Sequence, residues 1–282
     1  MPEQFEVTRM ADYLKSHQLE SQKLKCILFS NQGQRVLKNI SPEKLNQQLC
    51  NKKLLTISTK AKYTFLHFES GTLVWHYRFT GIAHLKGKPY QQQLYSLFSL
   101  PIESQNQKHL RMTLSFEKDE LYYIDTRCLS ALYFFKNKQP IQTSIYQKIA
   151  PDLMHDLDPN MAMFKKLFSH RKTTVKQWLL NQEIAPSGIG NYLACEILAH
   201  AKLHPFTPLL KINKQQYLSI CQAIKRVRDY ALKSPTYDWF LVFNQKVCGQ
   251  CGNQVQKQKL PKNAQTSHFC LTCQKLNDFA NQ

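Results

Sequence analysis

The spacing of apolar residues along the first half of the chain predicts one helix followed by several strands. Residues 3–16 carry an apolar stripe at helical spacing, formed by Val7, Met10, Ala11 and Leu14. Short apolar runs between turn residues then predict strands over 24–30, 54–68, 72–79, 112–116 and 121–124, with hairpin turns at 69–71 and 117–120. Strands at this density favour a two-layer β-sandwich.

After about residue 150 the spacing of apolar residues changes from every second residue, typical of strands, to about every 3.6 residues, typical of helices. Helices are predicted over 175–181 and 192–201, and a third helix runs from a capping-box start at Asn213 and Gln216 to about Lys233. The apolar stripe of this third helix is expected to be core: Tyr217, Ile220, Cys221, Ile224, Val227 and Ala231. The fold class is therefore α+β.

Four cysteines near the end of the chain have the spacing of a metal site. Cys248 and Cys251 form one CxxC pair, and Cys270 and Cys273 form a second pair after eighteen residues. Two such knuckles joined by a hairpin are typical of a zinc ribbon, in which four thiolates close the coordination sphere and the single Zn²⁺ is structural. The alternative is a pair of disulfides or four unrelated thiols.

Composition adds an electrostatic argument. The 282 residues include 38 Lys and Arg against 19 Asp and Glu, a formal charge of +19 that suits a polyanion such as nucleic acid. An anionic membrane surface, or a protein that is simply basic, remains the alternative at this stage. The chain contains no run of eighteen apolar residues and its first residues do not resemble a signal peptide, so we expect an intracellular protein with no membrane association.

The N-terminus offers a candidate nucleophile. Removal of Met1 would expose the secondary α-amine of Pro2, which is partly neutral near physiological pH and can attack a sugar C1′ to form an iminium ion. Glu3 is a candidate acid and base beside it, and Glu6 lies one helical turn further on. The alternative for these carboxylates is that they complement a helix dipole.

A second candidate site is the loop over residues 187–191. Gly188 and Gly190 before a helix would let main-chain N–H groups approach a phosphate, and Asn191 offers a side-chain amide to the same group. An ordinary helix-to-helix turn is the alternative.

Taken together these motifs resemble the DNA glycosylase/lyase family of formamidopyrimidine-DNA glycosylase and endonuclease VIII. The matching positions follow the whole chain in order: 1–3 with 6–7, 60–63, 125–127, 151–152 with 158–160, 188–192 with 196–198, and the four cysteines. The resemblance implies a catalytic β-sandwich domain over 1–140, a helix-two-turn-helix DNA-binding domain over 150–238 and a zinc ribbon over 239–282, with DNA in the cleft between the halves.

The resemblance also implies residue roles. Pro2 is the Schiff-base nucleophile, Glu3 protonates the sugar ring oxygen or the leaving base, and Glu6 is a supporting residue. Lys62 is implied to be a strand lysine that binds phosphate near the lesion. The implied DNA-binding positions are Asn191, Phe79, Arg127 and Gln265.

Phe79 matches a position of the family pattern, and three other positions depart from it. Phe79 lies where the family inserts a side chain into the gap left by a flipped nucleotide, with a buried core Phe as the alternative. Cys128 and Leu129 stand where the family often has Arg and Phe. Gln265 stands in place of an arginine that reaches phosphate, for which Lys257, Lys259 and Lys262 are candidate substitutes.

The sequence thus predicts a monomeric bifunctional DNA glycosylase and abasic-site lyase of base excision repair, acting by β,δ-elimination. Its partner is damaged duplex DNA, with single-stranded DNA as a further candidate. The short stretch over 234–239 favours oxidised pyrimidines or hydantoins as lesions and the endonuclease VIII branch of the family. The alternative is a protein on the same scaffold that binds damaged or single-stranded DNA without excising bases.

Overall fold

The computed structural model describes residues 2–88, 108–154, 173–183, 186–234, 236–259 and 265–276. The chain divides into two compact units, Met1–Ile149 and Ala150–Gln282. The residues predicted as a third domain, 239–282, lie in the second unit with the helices, and the division into three domains stays a prediction.

The first unit is a helix-capped β-sandwich, as predicted. One sheet has the strand order β1-β6-β7-β5 and the other has the order β2-β3-β4-β8. Both sheets and α1 contribute to one apolar core, which includes Met10, Ile27, Trp75 and Tyr123. The strands are β1 (Leu24–Phe29), β2 (Leu54–Lys60), β3 (Tyr63–Phe68), β4 (Gly71–His76), β5 (Gly81–Leu85), β6 (Leu110–Phe116), β7 (Glu120–Asp125) and β8 (Ala131–Lys136), and the helices are α1 (Gln4–Ser16), α2 (Pro42–Leu49) and α3 (Ser144–Lys148).

The predicted single strand over 54–68 was wrong. It is two antiparallel strands, β2 and β3, joined by a turn at Ala61 and Lys62 in which Ala61 has a φ of 52°. Two strands and two helices among the described residues were not predicted: β5, β8, α2 and α3. All five residues of β5 are buried, so this strand lacks the polar alternation by which a half-exposed strand is found in a sequence.

The second unit contains the helices and the terminal hairpin. Its elements are α4 (Val175–Leu179), α5 (Asn191–His200), α6 (Lys214–Lys233), β9 (Gln256–Lys259) and β10 (Thr266–Phe269). The capping box at Asn213 and Gln216 is present, and all six residues of the predicted stripe on α6 are buried. Within the described residues, no helix has the length and apolarity needed to cross a membrane.

Candidate active site and metal centre

The start of α1 is buried and tightly hydrogen-bonded. Glu3 is the N-cap residue, and its main-chain N–H donates to the Glu6 carboxylate at 2.8 Å. Pro2 precedes the cap, and Pro2, Glu3 and Glu6 are all buried. Buried carboxylates require polar partners, and a helix N-terminus is an environment that stabilises their negative charge. Glu3 is thus the residue next to the candidate nucleophile, and Glu6 is hydrogen-bonded to the main chain of Glu3.

Lys62 lies close to Glu3, although it is not in a strand as the resemblance implied. It occupies the two-residue turn between β2 and β3. Burial lowers the pKa of the Lys62 amine, the nearby Glu3 carboxylate acts to raise it, and the Arg78 guanidinium lowers it again, so that the pKa lies below its usual value. The structure thus brings together two of the predicted site residues that are far apart in sequence.

Two further residues of this group were missed by sequence reasoning. His76 is the partner of Tyr63 across β3 and β4, and the two rings stack with centroids 4.4 Å apart. Burial, together with the positive charges of Arg78 and Lys62, lowers the pKa of His76 to about 3, so this imidazole is neutral at physiological pH. Only the strand register reveals that His76 and Arg78 lie near Lys62.

Phe79 is on the surface, which excludes the core alternative. Its side chain is 42 % exposed, and the Arg127 guanidinium lies over its ring at 5.1 Å from the centroid, a cation–π contact. Asp125 holds the two loops together, because its carboxylate accepts hydrogen bonds from the Thr80 hydroxyl and from the main-chain N–H of Arg127. The predicted DNA-binding residues Phe79 and Arg127 are therefore neighbours.

Two of the three positions that depart from the family pattern, Cys128 and Leu129, lie in the same loop. Leu129 is 43 % exposed. Cys128 has a φ of 53°, and its thiol donates to the main-chain carbonyl of Gln32 at 3.4 Å. An apolar side chain is thus still presented beside Arg127, while the thiol is directed towards a neighbouring loop.

In the second unit the loop before α5 is buried and hydrogen-bonded within the protein, which the sequence did not indicate. Residues 186–190 are buried, and the Gly188 N–H donates to the Gln182 side chain at 2.9 Å. Asn191 is the first residue of α5, and its amide donates to the Thr266 carbonyl at 2.9 Å. One N–H of this amide is therefore used within the protein, and the second is the one left for a ligand. The matched positions 158–160 lie outside the described residues.

The four terminal cysteines form a cluster suited to one metal ion. The sulfur atoms of Cys248, Cys251, Cys270 and Cys273 all lie within 4.8 Å of one another. All nine cysteines are free, so the disulfide alternative is not realised. Four thiols at this separation match the donor set of a tetrahedral Cys₄ site, and the cluster can bind one metal ion.

Residues of two helices in the second unit contact the cysteine cluster and the adjacent strand β10. Cys195 of α5 packs against Cys248 and Cys270, and its sulfur accepts from the His268 main-chain N–H at 3.4 Å. The buried ammonium of Lys176 in α4 donates to the Ser267 hydroxyl at 2.8 Å and to the Thr266 carbonyl at 3.3 Å. Neither role has a local sequence signal, because both are contacts between distant segments.

Gln265 lies half-buried immediately before β10. Of the lysines considered as substitutes for the family arginine, Lys257 and Lys259 are exposed on β9, and Lys259 pairs with Thr266, next to Gln265. Lys262 lies outside the described residues. Two cations therefore remain on the ribbon near the position of the replaced arginine.

Comparison with known families matches most of the chain. The profile of the formamidopyrimidine-DNA glycosylase N-terminal domain matches residues 1–132, and that of the formamidopyrimidine-DNA glycosylase H2TH domain matches residues 149–237. A curated relative, the formamidopyrimidine-DNA glycosylase of Mycoplasma genitalium, is 29 % identical over 262 residues, covering 86 % of each chain.

Solved structures show the same fold. The Fpg protein of Lactococcus lactis in complex with DNA that contains an abasic site has a TM-score of 0.80 at 22 % identity, covering 97 % of this chain and 100 % of that one. The same protein in complex with DNA that contains an oxidised pyrimidine has a TM-score of 0.79 at 24 % identity, with the same coverage.

Proposed function

Since the chain belongs to the formamidopyrimidine-DNA glycosylase family and is an enzyme of the DNA glycosylase class, we propose that it is bifunctional, excising oxidised bases and then cleaving the strand at the resulting abasic site. The observation that carries this proposal is the buried N-terminus of α1, where Pro2 precedes the capping Glu3 and Lys62 approaches Glu3 from another element. A nucleophile, an acid and a phosphate-binding cation are thus supplied by one site in the first unit.

The first step is attack by Pro2 on the sugar. After Met1 is removed, the neutral amine forms a bond to C1′, and the bond from C1′ to the base breaks with its electron pair going to the departing base. Glu3 gives a proton to the ring oxygen O4′ or to the base, and the proton lost from the Pro2 nitrogen goes to the other of the two. The C1′–O4′ bond breaks with its electron pair going to O4′, so the sugar opens and the positive charge is held as an iminium ion on the Pro2 nitrogen.

The iminium ion then drives strand cleavage. Loss of a proton from C2′ is followed by breakage of the C3′–O bond, which releases the 3′ phosphate, and a second elimination breaks the C5′–O bond. Hydrolysis returns Pro2 to its free form. Lys62 stabilises the phosphate beside the lesion by charge, and Asn191 binds backbone phosphate through its second amide N–H.

The lesions are proposed to include oxidised pyrimidines and hydantoins. Two observations support this proposal: the short stretch between α6 and the ribbon, and the existence of a fold neighbour solved with DNA that contains an oxidised pyrimidine. The curated relatives bear the name formamidopyrimidine-DNA glycosylase, so closeness to the endonuclease VIII branch stays a prediction. A panel of duplexes that each carry one oxidised base would test the proposed range of lesions.

The metal at the four cysteines is proposed to be a single structural Zn²⁺. Four protein ligands leave no position for a water or a substrate, so the ion folds the hairpin and takes no part in the chemistry. We expect damaged DNA to be the partner and the enzyme to act as a monomer.

Reduction of the covalent intermediate with borohydride tests the proposed function. Incubation with duplex or single-stranded DNA containing an abasic site or an oxidised pyrimidine should give a protein–DNA adduct that the Pro2→Gly variant forms far more weakly. Tight DNA binding with no adduct and no strand scission would instead support a binding protein on the same scaffold.

A further inference from the structure

A small cavity lies in the second unit, where the end of α5, the start of α6 and the second cysteine pair meet. Its volume is about 180 Å³, and its lining includes Lys202, Thr207, Gln216, Thr272 and Lys275. Sites for drug-sized molecules usually measure about 300 to 1,000 Å³, so this cavity suits a single ionic group. No Asp or Glu is among the described residues that line it.

Two lysines give the cavity its charge. The ammonium groups of Lys202 and Lys275 form no hydrogen bond or ion pair with any residue that the structure describes. Lys202 closes the end of α5, where its N–H donates to the Ala199 carbonyl at 3.1 Å, and its φ of 55° is a conformation that favours glycine. A cation therefore stands at a position where glycine would be less strained.

The neutral groups of the lining are left with hydrogen atoms to donate. The Gln216 side-chain oxygen accepts from the main-chain N–H of Asn213 at 3.0 Å, so its NH₂ group is the part left for the cavity. The Thr272 hydroxyl oxygen accepts from the Asn253 amide at 3.2 Å, so its O–H hydrogen remains to be donated. The capping of α6 and the cysteine knuckle thus select donors on this side of the cavity.

Thr207 is the buried member of the lining. It is 5 % exposed, and its hydroxyl forms no hydrogen bond within the described part of the chain. Its main chain is fixed, because its N–H donates to the His204 carbonyl at 3.0 Å and its carbonyl accepts from the Val175 N–H at 2.9 Å. A buried polar group calls for a partner, which points to a bound group in this cavity.

We propose that this cavity binds a phosphate group. Two ammonium groups, two hydroxyls and an amide NH₂ all donate, and phosphate accepts hydrogen bonds on its oxygens and carries the opposite charge. A neutral ligand would leave two cations uncompensated, and a metal cation would be repelled. Free phosphate and the phosphates of a DNA backbone share this chemistry.

The site goes beyond the proposed function. Asn191, which is proposed to bind DNA phosphate, is the first residue of α5, whereas Lys202 follows the last turn of the same helix. A helix of ten residues is about 15 Å long, so the two positions are separated by its full length. None of the proposed catalytic steps uses a residue of the cavity.

Titration of the full-length protein with inorganic phosphate, followed by calorimetry at low ionic strength, tests the site. The wild type should bind one phosphate per chain, and the Lys202→Gly, Lys275→Ala variant should bind it at least about tenfold more weakly. Lys202→Gly alone should weaken binding without lowering the midpoint of urea unfolding, because glycine relieves the left-handed backbone. This result separates loss of the ligand contact from loss of the fold.

Thr207→Val tests the buried hydroxyl. The variant should bind phosphate more weakly than the wild type, yet in phosphate-free buffer its urea midpoint should be at least as high, because an unpaired buried hydroxyl has been removed. A lower midpoint together with unchanged phosphate affinity would show that the hydroxyl serves the fold and not a ligand.

The matched control is Lys225→Ala, Lys233→Ala, which removes two charges from α6 more than two turns beyond Gln216. It should bind phosphate as the wild type does. Affinity for an undamaged duplex at several salt concentrations then separates the two sources. If backbone phosphate is the ligand, the Lys202→Gly, Lys275→Ala variant should show a weaker salt dependence than the control, and if free phosphate is the ligand, the two should match.

Two results would overturn the assignment. One is no phosphate binding by the wild type at millimolar concentrations, and the other is equal phosphate affinity in the wild type, the cavity variant and the control, which would indicate general attraction to a basic surface. Borohydride trapping reports on Pro2 independently. Failure of trapping would therefore remove the proposed function and leave the phosphate titration as it stands.

Discussion

The main-chain N–H of Glu3 donates to the Glu6 carboxylate at 2.8 Å, one turn along the first helix. This bond fixes the backbone of the residue that follows Pro2, and both side chains are buried. We therefore infer that Glu6 is a positioning residue, which would act on the proposed chemistry through the main chain of Glu3.

Replacing Glu6 by Ala should remove this bond. We expect the free energy of unfolding to fall by about 1 to 2 kcal/mol and the rate of adduct formation to fall more than DNA affinity does. Urea unfolding and single-turnover trapping measure the two effects. Glu43→Ala, which changes an exposed glutamate in the first turn of α2, should lower stability far less than Glu6→Ala and leave trapping unchanged. Equal losses in the two variants would contradict the positioning role.

The lowered pKa of Lys62 predicts an alkaline limit on DNA binding. The amine binds phosphate only when protonated, and a lowered pKa means that the charge is lost at a lower pH than for an ordinary lysine. Affinity for abasic-analogue duplex should therefore fall on the alkaline side, and Lys62→Arg should remove this fall, because arginine stays charged. Arg78→Gln should move the fall to higher pH, since Arg78 lowers the Lys62 pKa. A shift to lower pH would contradict the assignment.

The raised pKa of Glu196 predicts that the stability of the second unit depends on pH. Its carboxylate accepts from the N–H groups of Leu241, Val242 and Phe243 at 2.7, 3.0 and 2.7 Å. Burial raises its pKa to about 7, against the lowering effect of these three bonds. A raised pKa in the folded state means that stability from this group is present below about pH 4.5 and is lost as pH rises to about 7.

The free energy of unfolding of the wild type minus that of Glu196→Gln should therefore be more positive at pH 5 than at pH 8, by roughly 2 to 3 kcal/mol. Urea unfolding at several pH values measures it. Glu183→Gln, at an exposed site in the same unit, is the matched control. A wild-type advantage that grows with pH would show that the three N–H donors outweigh the effect of burial.

Removal of the metal should unfold the terminal hairpin. Chelation or Cys248→Ser should release one Zn²⁺ per chain and abolish most duplex binding, because the anchors from Lys176 and Asn191 to Thr266 and Ser267 would lose their partners. Metal content and duplex affinity are measured together. Cys221→Ser, in the α6 core, should retain the zinc; loss of zinc there would point to general misfolding instead.

Local signals in the sequence were sufficient to predict much of the fold. The capping box at Asn213 and the apolar stripe predicted α6, and the two CxxC pairs predicted the terminal hairpin and the cysteine cluster. The turn at Ala61 and Lys62 was missed because neither residue is a typical turn former. The proximity of His76 and Arg78 to Lys62 follows from strand register, and the packing of Cys195 against the metal cysteines follows from tertiary contacts, neither of which one sequence shows.

The proposed mechanism requires that the nitrogen of Pro2 bonds to DNA, and this can be measured. Borohydride-reduced adduct is digested with protease and nuclease, and the cross-linked peptide is sequenced by mass spectrometry. We expect the sugar remnant on the nitrogen of Pro2, in a peptide that lacks Met1. A remnant on a lysine side chain, or active protein whose first residue is still Met1, would contradict it.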